Sequence, residues 1–111
     1  MPAVDLDHLA RYTGGDETLN SEVLRLFDEQ AGELVTRLQT ILVARDAKSW
    51  REVAHTIKGA ARGIGAFALG DAAAFAEPID PADYASAAAA LTALKASAEE
   101  VQGFIHRYLA R

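Results

Sequence analysis

Apolar residues recur along this chain every three or four positions, and alternating runs of strand length are missing. That periodicity predicts helices, and the scarcity of β-branched runs agrees with it. Five helical segments can be drawn. A short one over 5–11 has an apolar edge of Leu6, Leu9 and Ala10 and stops at Gly14-Gly15. A long one over 16–43 starts at Asp16 as N-cap, with Leu19, Val23, Phe27, Leu34, Leu38, Ile41 and Leu42 at helical spacing. At about 1.5 Å per residue it is roughly 40 Å long. A third covers 47–64 behind Asp46, and a fourth covers 67–77 until Pro78 stops it, with Leu69, Ala73 and Ala76 inward. In the connection Pro78-Ile79-Asp80-Pro81, Asp80 is the expected N-cap and Pro81 the first residue of the last helix. That helix runs to about 109, with Tyr84, Ala88, Leu91, Leu94, Ala98, Val101, Phe104, Ile105 and Tyr108 on its apolar face. Long helices joined by short connections predict an all-α, antiparallel up-down four-helix bundle with a short extra N-terminal helix. The expected organisation is a single domain over 1–111, since no repeat or linker divides the chain.

Composition narrows what such a bundle can do. The formal net charge is −5. That disfavours nucleic acid and anionic lipid as general partners. With no cysteine, thiolate metal sites, disulfides and cysteine nucleophiles are excluded. Charges interrupt the apolar residues every few positions, so no membrane span is expected. The N-terminus lacks the basic and apolar regions of a signal peptide, and the expected compartment is the cytoplasm. There is no nucleotide-binding glycine loop, no acidic metal cluster and no Ser-His-Asp spacing, so an autonomous kinase or hydrolase is not expected.

Candidate chemistry concentrates in the third helix. On an ideal helical wheel Trp50, Val53, Ala54, Ile57, Ala60, Ala61 and Ile64 share a sector of about 120°, the core face. His55 falls about 160° from its centre, facing water, with Arg51, Lys58 and Arg62 within roughly 60° of it. Gly59 stands one turn further on. An exposed imidazole is largely neutral at neutral pH, and neighbouring cations favour that form. The neutral ring has a lone pair for nucleophilic attack, and the cations can balance a phosphoryl group placed on it. An interior Gly costs a helix about 1 kcal/mol relative to Ala. Room for another protein's active site beside His55 compensates for that. Each feature alone also has a bland reading: a surface histidine, a solvated charged face, a packing glycine.

The order of the residues adds to this. His55-Thr56-Ile57-Lys58-Gly59-Ala60-Ala61-Arg62-Gly63-Ile64-Gly65 resembles the signature of histidine phosphotransfer (HPt) domains. In order, it has a His, an apolar residue, Lys, Gly, two small residues and, further on, an apolar residue followed by Gly. The opening Asp5-Leu6 through Gly14-Gly15-Asp16, then Leu26-Phe27, is also similar to the family, as is the stretch from Leu69 to Glu77. The likeness covers about 4–77, with the last helix fitting mainly in length and pattern. Gly63 has no counterpart that explains it. The resemblance implies a four-helix bundle with the phosphorylated His exposed midway along one helix. It implies that His55 takes a phosphoryl group from a receiver-domain aspartate, such as that of a hybrid histidine kinase, and passes it to a response regulator's receiver. Lys58 would stabilise the phosphoryl group and Gly59 would leave room for docking. Arg62 and Arg51 are candidates for contacts with the acidic receiver site on the wheel alone. No cofactor is implied for this chain; Mg²⁺ belongs to the partner receiver.

His8 and His106 lack partners at metal-ligand spacing and read as surface residues, while Trp50 and Phe27 read as core anchors. A monomer is expected. Two other functions compete with the relay. One is a non-phosphorylated interaction module that binds a receiver domain. The other is the phosphoacceptor domain of a larger chemotaxis-type histidine kinase, against which the short chain and its initial Met count.

Overall fold

The computed structural model describes residues 2–111 and is helical throughout, with no strand among the described residues. The helices are α1 (Leu6–Thr13), α2 (Glu17–Ala44), α3 (Ala47–Ile64), α4 (Phe67–Ala76) and α5 (Tyr84–Ala110). α2 packs on α3 and α5, and α4 packs on the same two. These contacts close a ring of four helices, and α1 lies against α2 and α3. The body measures 44 × 23 × 22 Å. It is therefore about as long as α2 at 1.5 Å per residue.

Carboxylates set the helix starts. Asp16 and Asp46 accept from backbone N–H groups in the first turns of α2 and α3, as expected, and Asp5, read as the first residue of α1, instead caps it by accepting from Asp7 and His8 N–H. Asp80 does not cap α5. Its side chain accepts from the Ala82 N–H at 2.9 Å and its carbonyl from Asp83. Asp83 then caps a helix that begins at Tyr84, one turn later than expected. Both aspartates have the chemistry of a cap. Tertiary packing decides between them, because Pro81 is drawn into the core and fixes the connection as a turn of its own.

The core is one cluster of Leu, Ile, Val and many Ala contributed by every helix. Small residues on α4 and α5 let the helices approach closely. Tyr84, expected on the inner face, is 49% exposed, and Leu19 is 40% exposed. Both stand in the first turn of their helix beside an exposed cap. Trp50 is fully buried, and its indole N–H donates to the Ala76 carbonyl at 2.9 Å. This bond ties the beginning of α3 to the end of α4, an arrangement that governs the site described below.

Gly65 turns the chain between α3 and α4 at φ 87°, in the left-handed region where glycine carries no Cβ penalty. Its carbonyl accepts the Asp5 N–H at 2.9 Å. A Cβ there would lie 2.6 Å from the Asp5 carbonyl oxygen, so α1 docks through backbone contact that only glycine permits. His8 is half-buried rather than on the surface, with its ring edge 5.0 Å from Phe67 and 5.9 Å from Tyr12 between centroids. His106 is exposed and pairs across helices, Nε2 lying 2.9 Å from Asp28 Oδ2.

Candidate functional site

The wheel placed Trp50, Val53, Ala54, Ile57, Ala61 and Ile64 inward, and all six are buried. Ala60 is only partly so. That packing turns the opposite side of α3 to solvent, and His55 stands there with a side chain 69% exposed. Its ring is held on one side only. Nδ1 lies 3.1 Å from Oε1 of Glu77, the residue that follows α4. Lys58 reaches the same oxygen with Nζ at 3.0 Å. The carboxylate is thus shared by an imidazole and an ammonium. Lys58 and Glu77 are mostly covered, at 21% and 23% side-chain exposure, whereas the ring projects beyond them.

The Lys58 hydrogen bond holds the Glu77 carboxyl below its ordinary value of 4.5. The His55 contact works in the same direction, while partial burial opposes both. Glu77 is therefore an anion at neutral pH. Its backbone is still helical, at φ −52° and ψ −47°, although Pro78 ends the element after it. The bond from Trp50 to the carbonyl of Ala76, next door, keeps this end of α4 against α3.

The other expected site residues are placed differently from one another. Gly59 faces open space, and a Cβ built there meets nothing within 4 Å; the same holds for Gly63. The next two turns beyond His55 thus each carry a glycine with open space where a side chain would begin. Arg51 is exposed and lines a shallow depression together with Glu52, His55, Thr56 and Glu77. It has no ion-pair partner among the described residues. Arg62 turns away towards α4, where Nη2 lies 3.6 Å from Asp71 Oδ1. Its stem crosses Gly70, whose missing Cβ would come within 2.8 Å of Arg62 Cγ. The ring of three cations expected around His55 is thus one ammonium tied to a carboxylate, one free guanidinium and one guanidinium engaged elsewhere. Among the described residues no group of three or more His, Cys, Asp or Glu stands ready to hold a metal ion.

Glu77 escaped the sequence reading, which treated it as the last residue before a proline. A signal was present. His55 and Glu77 lie equally far on either side of Ala66 in the tight α3–α4 turn, so two helices folding back on each other must bring them level.

An exposed, carboxylate-braced imidazole beside an ammonium and an open strip of helix fits nucleophilic acceptance of an anionic group delivered by another protein. The family comparison agrees with that chemistry. Residues 22–104 match the family model described as the Hpt domain, and the chain belongs to that family. Its members are histidine phosphotransfer intermediates that work with receiver domains in phosphorelays. The match differs in extent from the likeness read by eye. It leaves out α1 and takes in most of α5. Comparison with curated proteins and with solved structures yields no match. Among the described residues no helix is long and apolar enough to cross a membrane.

Proposed function

We propose that this protein relays a phosphoryl group between receiver-domain aspartates, with phosphohistidine at His55 as the intermediate. The observation that carries the reading is the 69% exposed imidazole at the middle of α3, facing open helix surface on one side and braced on the other. A nitrogen lone pair of the neutral ring attacks the phosphorus of an aspartyl phosphate. The N–P bond forms as the P–O bond to the aspartate breaks, and the electron pair leaves with the aspartate as a carboxylate. Transfer onward reverses these steps on a second receiver.

Lys58 lies one carboxylate oxygen away from the ring, near enough for its flexible stem to bring the ammonium to a bound phosphoryl group. The open strip at Gly59 admits the receiver's active-site rim. Arg51 is free to meet an acidic receiver site, and Arg62 reaches it only by leaving Asp71. Mg²⁺ and the machinery that activates the aspartate belong to the receiver. We read the closed ring of α2 to α5 as an antiparallel up-down four-helix bundle over the single domain 1–111, acting as a cytoplasmic monomer with no catalysis of its own.

The test is label transfer from a phosphorylated receiver domain to the wild type and to His55→Gln. Acid-labile, base-stable label is expected on the wild type alone. Equal labelling of both proteins removes His55 from the reaction. Binding of the receiver without any labelling of the wild type marks an interaction module instead.

A further inference from the structure

We infer that Arg51 is the cation that holds the phosphoryl group while the phosphorylated protein stands alone, between one partner and the next. It thereby sets how the phosphoryl group divides at equilibrium between His55 and a receiver. This rests on the relay reading above and adds to it the residue that stabilises the phosphorylated state.

The charges around the ring carry the inference. Arg51, Glu52, His55, Thr56 and Glu77 line one shallow depression. Two of these residues are carboxylates. A phosphoryl group brings more than one further negative charge at neutral pH. It therefore arrives where acidic groups already stand, and it needs a cation that is not yet engaged. Of the four cations on α3, three are paired. Lys48 lies 4.0 Å from Glu52, Lys58 lies 3.0 Å from Glu77 with only 21% of its side chain exposed, and Arg62 lies 3.6 Å from Asp71. Any of these that moves to the phosphoryl group leaves its carboxylate behind without a counter-ion. Arg51 has no ion-pair partner among the described residues and leaves nothing behind.

Reach agrees with charge. Arg51 and His55 are four residues apart on α3, so their Cβ atoms are about 5–6 Å apart. Helical side chains lean towards the N-terminus, so the ring of His55 lies over the turn that carries Arg51 and Glu52. A guanidinium stays charged and presents a planar fork to two phosphoryl oxygens. Both residues are exposed, so the pair forms without disturbing the core.

Thermodynamics separates this role from contact with a docked receiver. A residue that touches only the docked receiver changes forward and reverse transfer by the same factor, and the end point stays where it was. A residue that holds the phosphoryl group in the separated protein favours one of the two end states and moves the end point.

The first measurement needs no receiver. Phosphoramidate phosphorylates the His55 ring directly, the new N–P bond forming as ammonia leaves. In ³¹P spectra of the product, the phosphoryl group of the wild type is expected to lose its last proton at lower pH than that of Arg51→Gln, because a neighbouring cation favours the more charged form. Arg51→Lys keeps the charge without the fork and is expected to fall between them. The second measurement is the end point of label exchange with an isolated response-regulator receiver domain. Arg51→Gln is expected to move it about 3- to 10-fold towards the receiver, and less in 1 M salt, where charges more than about 3 Å apart are screened. Lys95→Gln removes the same charge from an exposed position on α5, which packs on α2 and α4 and not on α3, and is expected to leave the end point unchanged. Coincident titrations of the wild type and a folded Arg51→Gln overturn the inference. Slower exchange at an unmoved end point also overturns it and marks Arg51 as a receiver contact only. An equal displacement by Lys95→Gln overturns it as well, since net charge then suffices. If the titration responds to Arg51 but the receiver never exchanges label, the relay reading fails and Arg51 stands as the partner of the phosphoryl group. If neither donor labels His55, both fail.

Discussion

Gly59 offers a test in which stability and transfer should move in opposite directions. It lies inside α3 at ordinary helical geometry, and a Cβ there meets nothing within 4 Å. Gly59→Ala therefore adds no clash and removes backbone freedom from the unfolded chain. The expected gain is about 0.8–1 kcal/mol. For a domain of this size that raises Tm by roughly 4 °C. A larger side chain keeps most of that gain but fills the strip. Positions one turn apart on a helix have Cβ atoms about 5–6 Å apart, so an Arg at 59 projects into the space through which a partner must approach His55. Gly59→Arg is expected to fold at least as stably as the wild type and to transfer at least 10-fold more slowly. Thermal unfolding followed by circular dichroism, together with label transfer from a phosphorylated receiver, reads both quantities. Failure of Gly59→Ala to stabilise would refute the claim that this glycine is unfavourable to the fold. Wild-type transfer by a folded Gly59→Arg would refute the claim that the open strip serves docking.

Two further outcomes follow from contacts elsewhere. Gly65→Ala forces a Cβ to 2.6 Å from the Asp5 carbonyl oxygen at φ 87°. Left-handed strain and overpacking together predict a loss of about 2–4 kcal/mol in urea unfolding. An unchanged midpoint would mean that α1 is not docked through this contact. Lys58→Met removes the chief cause of the lowered Glu77 pKa. Because that pKa is lower in the folded protein, the ionised carboxylate stabilises the fold above its ordinary value of 4.5, and the contribution disappears as pH falls through the folded value. The variant should therefore unfold more easily than the wild type at pH 7, and the difference should shrink in acid below that range. An equal difference at both pH values would show that the Lys58–Glu77 pair does not cause it.

The sequence made much of this architecture readable because helices announce themselves locally. Periodic apolar residues, Asp caps and terminating glycines act within one or two turns, so the extents of α2 and α3 follow from neighbours in the chain. The exposure of His55 was legible for the same reason, since the core face of its own helix determines where the opposite face points. The motif from His55 to Gly65 pointed to the family that the match over 22–104 establishes.

Tertiary structure decided what local pattern leaves degenerate. Asp80 and Asp83 could each cap α5, and the burial of Pro81 selected the second. The cations near His55 looked equivalent on a wheel, which records direction but not partners. Asp71 draws Arg62 away, and Glu77 holds Lys58 beside the ring. Glu77 itself reaches His55 only because α4 folds back along α3 and Trp50 fastens its last carbonyl. Helix faces are written into neighbouring residues a few positions apart. The contact between His55 and Glu77 depends on two helices meeting, and only packing between distant parts of the chain determines that.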